Sequence, residues 1–482
     1  MGQQSGSILI KNGLLVTMDQ QKRVFYGSLY IEDGLLHEVG SQREQADEVI
    51  DAENMAVLPG FIQTHIHLCQ VLFRGLADDT DVVDWLKQRI WPFESAHVED
   101  SINASAWLGI AELVGSGTTT ALSMETTRHT DGVCDAVLAS GFRCICGNAM
   151  MDVTEPGTEM RGLSAEDSIA ETRRLHRLWH EKGGGLLKTA VMPRGARNCS
   201  PALVEMGRRF AIDNGLIVHT HVSENGPLSA RLKRETGLGD IELLDRQGLC
   251  GENLVVAHAI HMTNEETRTV LEKGVKIAHC PSANMKLASG FCAVPEMLEK
   301  GIFVSLGADG APCNNNLDMF NEMRLASLIH KPRSGPVSMD AYTVLEMATI
   351  GGARALGIDS EVGSLEPGKK ADVILLRRDG LHTGPSLCAP IHSQIVYSMK
   401  SCDVDTTIID GEILYRHGKF TRIDEKKLLA AAAGQLEKLL ARVPFGRRLL
   451  SSSACDILRD NDNRIGCENG LSQSHFMRES AF

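Results

Sequence analysis

Eight short apolar runs recur between residues 58 and 310: "LPGFIQTHIH", "GTTTALSM", "GFRCICGNAMMD", "LLKTAVMPR", "GLIVHTHVSE", "NLVVAHAIHM", "GVKIAHCPSA" and "GIFVSLGADG". Helical stretches such as "SPALVEMGRRFAIDNG" and "NEETRTVLEKG" lie between several of them. Apolar runs alternating with amphipathic helices predict parallel strands joined by helical crossovers. Eight such units predict an α/β fold, a closed (β/α)8 TIM-type barrel. A doubly wound open sheet is the alternative, but no GxGxxG fingerprint follows the first run.

The two ends of the chain have another texture. "SILIKNGLLVTMD", "GSLYIEDGLLHEVG" and "EVIDAENMAVLPG" read as short strands separated by Gly and Asp-Gly turns, and "GSLEPGKKADVILLRR" and "VDTTIIDGEILYRHGKF" match them from the far end. They predict one small β-sandwich built from residues 1–60 and 363–423, with the barrel over 61–362. Residues 424–482 are expected to hold the helix "EKKLLAAAAGQLEKLLARV" and then a loosely ordered tail rich in Ser, Asn and Asp.

A net charge of −13 argues against nucleic acid or an anionic membrane as the main partner. The 13 cysteines contain no CxxC pair, "MGQQSGSILI" has no secretory or myristoylation pattern, and no apolar run reaches membrane-spanning length. The expectation is a cytoplasmic protein with reduced thiols, assembled as a homo-oligomer (dimer or higher).

Barrels of this kind place their chemistry at the C-terminal ends of the strands. The first run ends in His65 and His67, which share a face because i and i+2 in a strand do. The fifth supplies His219, His221 and Glu224, the sixth His258, the seventh His279 and the eighth Asp309. Three histidines and an aspartate suit one divalent metal ion, zinc first and iron as the alternative, with room for a water. Lys188 could bridge two metals only if carbamylated, and it lies six residues before Arg194, too deep for the barrel mouth. His219, one layer below His221, reads as a core or supporting residue, and so does His279.

"PGFIQTHIH", "HVSEN", "VVAHAIHM", "AHCPSANMKLASG" and "GADGAPCNNNLDMF" resemble the amidohydrolase superfamily, in its branch of mononuclear-metal aminohydrolases acting on purines, nucleosides and triazines. The resemblance runs from about residue 7 to 420. It implies metal ligation by His65, His67, His221 and Asp309. It also implies a proton-shuttling role for Glu224, water positioning by His258, and a small heterocyclic substrate.

For the substrate, the resemblance points two ways. Methylthioadenosine/S-adenosylhomocysteine deaminases share "NMKLASG", "NNNLDMF" and the acid at Glu94, but usually carry a histidine where this chain has Arg194 in "MPRGARNCS". Guanine deaminases match at Gln70, His129-Thr130-Asp131, Met151-Asp152, Arg194 with Cys199, and Ser223-Glu224-Asn225. On that match Arg194 and Gln70 bind an oxo-purine, because a guanidinium fork suits a carbonyl and a ring nitrogen, and Glu94 is expected to contact the substrate beside them. The expectation is deamination of guanine or a related oxo-purine or pterin, with adenosine-type deamination or s-triazine hydrolysis as the alternatives.

Overall fold

A computed structural model describes residues 6–154, 162–385 and 388–450. The N-terminal strands are β1 (Ile8–Val16), β2 (Val24–Glu32), β3 (Leu35–Val39), β4 (Glu48–Asp51) and β5 (Met55–Pro59). The next group is β6 (Phe61–Ile66), β7 (Thr118–Glu125), β8 (Arg143–Met150), β9 (Leu187–Thr189), β10 (Met192–Pro193), β11 (Val218–Val222), β12 (Leu254–His258), β13 (Lys276–His279) and β14 (Val304–Leu306). After the remaining helices come β15 (Val373–Arg377), β16 (Val404–Ile409), β17 (Glu412–Arg416) and β18 (Lys419–Phe420).

Strands from both chain ends do pair, but into one hydrogen-bonded sheet where two facing sheets were expected. It has nine strands in the order β18-β17-β16-β15-β5-β1-β2-β3, with β4 also on β1. The reason lies in β1, which is irregular between Ile10 and Gly13, with Asn12 at φ 61°. Its first half pairs with β4 and its second half with β5, so one strand serves two neighbours. The sheet's flanks then meet: a Cβ on Gly411 would lie 2.6 Å from the Gly34 Cα. Ile8, Ile10, Leu29, Ile50, Val373, Leu375 and Ile408 share the core this encloses.

The middle strands are parallel, in two groups, β10-β8-β7-β6 with β9 also on β8, and β11-β12-β13-β14. Isolated parallel bridges join the groups at both seams, Val191 to Val218 and Gly195 to His221 on one side, Ile66 to Asp309 on the other. The fourth expected run is split into β9 and β10, and Pro193, with no N–H to give, closes it. β6, β7, β8 and β12 are buried along their whole length, so polar residues such as Gln63, Thr118 and Asn148 are buried along with the apolar ones.

The sheet and the middle strands are fastened together. Gly60 sits between β5 and β6, where a Cβ would come 2.1 Å from the Thr119 Cγ2. Buried Arg143 of β8 donates Nε and Nη2 to Asp372 at 2.8 and 2.9 Å, just before β15. The expected C-terminal helix spans Glu425–Arg442, capped by Asp424. The expected tail beyond residue 450 lies outside the described residues. Among those described, no helix is long and apolar enough to cross a membrane.

Candidate active site

His65 is the fifth residue of β6, and His67 stands at its end, capping the short helix Leu68–Phe73. His221 lies on β11, His258 ends β12, Asp309 follows β14, and Glu224 lies just beyond β11. These residues come from four separate strands, and the structure brings them together. Asp309 Oδ1 is 3.3 Å from both His65 Nε2 and His67 Nε2, and His221 Nε2 is 3.4 Å from His67 Nε2. Ligand-competent atoms of His65, His221 and His258 also fall within 4.8 Å of one another.

The hydrogen bonds behind these rings fix where their protons sit. His67 Nδ1 donates to the Met124 carbonyl at 2.7 Å, and His221 Nδ1 to the Arg194 carbonyl at 2.7 Å. His219 Nδ1 donates to the Val255 carbonyl at 2.9 Å, so its Nε2 must accept from His65 Nδ1, 2.7 Å away. All three ligand candidates therefore turn a bare Nε2 lone pair toward Asp309 and each other. His219 supports from below and contributes no donor atom to the cluster.

Two lone pairs facing at 3.4 Å with nothing between them repel unless a cation lies among them. His65 Nε2 is buried without a hydrogen-bond partner. Ligands about 2.0–2.1 Å from a zinc-sized ion stand about 3.4 Å apart along a tetrahedral edge, which the 3.3, 3.3 and 3.4 Å separations match. The donor set fits a single divalent ion.

The electrostatics agree. Burial drives His65 down to about 4 and His221 well below its ordinary value, so both stay neutral. Burial alone would raise Asp309, but His65, His67 and His258 hold its carboxyl well below the usual range. At His67 burial is outweighed by Asp309, which raises the ring above its ordinary value; the anion attracts a proton or a cation there. Glu224 is raised by burial, and its Oε2 lies 3.9 Å from His258 Nε2. A carboxylate held toward its neutral form suits proton transfer.

Lys188 takes no part. Its Nζ donates to Glu361 at 2.6 Å, away from the cluster. His279 is buried, with a ring centroid 5.6 Å from that of His330.

A cavity of about 120 Å³, open to solvent, adjoins the histidines and is walled by Trp85, Leu86, Trp91, Leu228, Gln70 and Arg194. Here the structure adds partners that the sequence reading did not include. Arg194 was expected to hold a free fork toward an oxo-purine. Instead its Nη1 and Nη2 donate to Glu94 at 2.6 and 3.2 Å, and Gln70 Nε2 donates to the same carboxylate at 2.8 Å. Glu94, expected to touch substrate, lies behind these two residues with its side chain 1% exposed. Burial disfavours the Arg194 cation, yet Glu94 outweighs it and raises the guanidinium above its ordinary value. Sequence could not foresee the pair, because its members stand 100 residues apart.

Other guanine deaminase-like elements hold loops. His129 opens the helix Thr130–Ser140 and is 3.4 Å from Glu99, while Asp131 binds Arg174 and the Trp179 indole. Asp152 accepts from the Ser200 backbone and hydroxyl, and Cys199 Sγ contacts the Met150 carbonyl. One residue the sequence reading missed is Asn284, whose Oδ1 is 2.9 Å from His258 Nδ1. Its only signal was its place in "HCPSAN", one short helix past the seventh strand.

The chain belongs to the amidohydrolase family, whose sequence profile matches residues 56–414. It is an enzyme, a hydrolase acting on carbon–nitrogen bonds. Among its relatives is a 5'-deoxyadenosine deaminase of Methanosarcina mazei, 37% identical over 439 residues, 90% of this chain and 99% of that one. A solved adenosine deaminase from Xanthomonas campestris with bound zinc superposes with a TM-score of 0.84 at 29% identity, covering 90% of this chain and 98% of that one. A guanine deaminase from C. acetobutylicum shares the fold, with a TM-score of 0.76 at 23% identity over 84% of this chain and 99% of that one.

Proposed function

We propose that the enzyme deaminates the adenine ring of a 5'-modified adenosine, with 5'-deoxyadenosine as the first substrate to test. The observation that carries this choice is the Arg194–Glu94 pair. With both terminal nitrogens engaged by a carboxylate, the Nη1–Nη2 fork of Arg194 is taken and does not face guanine's carbonyl and a neighbouring ring nitrogen acceptor together. Its remaining N–H groups, backed by Glu94 in one orientation, suit a neutral acceptor such as a ring nitrogen or ribose oxygen. The relationship to an adenosine-type deaminase at 37% identity supports the same reading over guanine.

We further propose that the two parallel strand groups form one closed eight-stranded barrel over 61–362, with the mixed sheet as its companion domain. The ligands in this reading are His65, His67, His221 and Asp309, and zinc is the preferred ion. When bound, a divalent ion lowers the pKa of a coordinated water toward neutrality. Glu224 takes a proton from the attacking water and gives it to the ring nitrogen beside the carbon under attack, making that carbon a better electrophile. His258 orients the water and the adding oxygen. Asp309 accepts the remaining hydroxyl proton and passes it to the amine. The carbon–nitrogen bond then breaks, ammonia leaves, and the ring keeps an oxo group.

The test is an ammonia-release screen of the metal-loaded enzyme over 5'-deoxyadenosine, methylthioadenosine, adenosine, guanine and an aminotriazine, with chloride release followed for a chlorotriazine. Turnover of the adenosines well above the others is expected. Turnover of guanine without the adenosines would overturn the reading.

A further inference from the structure

We propose that Asn284 is a positioning residue for the reaction: it fixes His258 as the tautomer protonated on Nδ1, so that Nε2 faces the reacting atoms as a lone pair. This rests on the proposed role of His258 as the group that orients the water.

His258 has an unusual backbone. It adopts φ 71° and the following Ala259 φ 52°, both in the left-handed region that non-glycine residues rarely enter. Surrounding bonds must hold it there, and Ala259 N donates to the Val222 carbonyl at 3.0 Å. The result aims His258 Nε2 between two carboxylates, 3.8 Å from Asp309 Oδ2 and 3.9 Å from Glu224 Oε2. Those are distances at which a bound water, but no direct hydrogen bond, fits between the partners.

Among the described residues, the opposite ring nitrogen is hydrogen-bonded to Asn284 Oδ1 alone, at 2.9 Å. Asn284 is 1% exposed, and its Nδ2 has no hydrogen-bond partner. An apolar side chain at that position would avoid burying an unpaired amide nitrogen. The residue makes sense there as an acceptor for His258. Asn284 is carried on the helix Pro281–Lys286, whose first turn is held by Glu322 accepting from Ser282 N at 3.2 Å.

The test uses the zinc-loaded full chain labelled with ¹⁵N-histidine, with the His258 signals identified by their loss in His258→Gln. Wild type should show His258 protonated on Nδ1, and Asn284→Leu should show mixed tautomers. Asn284→Leu should lower kcat on 5'-deoxyadenosine about 10–100-fold, with KM and metal content within about twofold of wild type. Asn284→Asp, which keeps an acceptor at the same point, should recover most of that loss and stands as the test if the leucine variant fails to fold. A wild-type ring protonated on Nε2, wild-type kcat in Asn284→Leu, or a folded Asn284→Asp as slow as Asn284→Leu would each overturn the proposal. If the wild type deaminates no adenosine, the functional reading falls, while the tautomer measurement still decides the role of Asn284.

Discussion

Replacing Arg194 with Met keeps most of the side-chain volume and removes the charge. Glu94 would then be left 1% exposed with Gln70 Nε2 as its only remaining side-chain donor. Breaking one partner out of a buried ion pair costs about 3–5 kcal/mol, because the other charge loses its compensation. Arg194→Met should therefore lose about that much in urea unfolding of the metal-loaded enzyme. Glu94→Leu should lose a similar amount by stranding the guanidinium. The double variant should recover most of it, since paired removal of a buried ion pair is often close to neutral. Activity should behave differently. If an N–H of Arg194 touches the substrate, that contact contributes about 1.5–3 kcal/mol, so the stable double variant should remain about 10–150-fold below wild type in kcat/KM for 5'-deoxyadenosine. A cost below about 1 kcal/mol for Arg194→Met, or strictly additive losses in the double variant, would refute the buried-pair argument. A double variant with wild-type kcat/KM would show that Arg194 is only wall.

Glu224→Gln should lower turnover at least about a hundredfold while metal content stays constant by elemental analysis, and loss of metal would make Glu224 a ligand. The purified chain should carry one divalent ion, and a chelator should abolish ammonia release until zinc is restored; two tightly held ions would contradict the ligand set. Buried Glu322, pushed up to about 7 by desolvation from a model-peptide value of 4.5, holds its proton more tightly folded than unfolded. Its stabilising contribution is thus full below about pH 4.5 and lost as pH rises through about 7, by about 3 kcal/mol at most. In melting curves from pH 5 to 8, the stability of wild type relative to Glu322→Gln should fall, and a constant difference would refute the shift.

The clustering of histidines with Asp309 was legible because its members sit at strand ends, and strand ends can be read from apolar runs. His65, His67, His221 and Asp309 needed only the right count of strands to be placed together. The substrate wall was not legible in the same way. Arg194 could be located at the end of its strand, but whether its fork is open depends on Glu94, which arrives on the short helix Trp91–Ser95 from another part of the chain. Asn284 was hidden for a related reason: an asparagine in a short helix is ordinarily a turn or cap residue, and only the ring 2.9 Å away gives it a task. The mixed sheet was foreseen as strands from both ends, yet the doubling of β1 onto two neighbours depends on a local irregularity at Asn12 and Gly13 that a period-two pattern does not report.

That sheet sets an order on how the chain can fold as it is made. β5 pairs with β15, Val57 opposite Leu375, so the edge of β5 that carries those bonds stays open until more than three hundred further residues have been synthesised. Every middle strand emerges during that interval, and Arg143 waits 229 residues for Asp372. The middle strands must therefore gather while a bare strand edge is exposed beside them, a hazard for pairing with other chains. Closing so long a loop adds little to the equilibrium cost but slows the approach to the native state. A nascent chain halted before β15 would carry His65, His67, His221 and Asp309 and still lack the strand that pairs with β5.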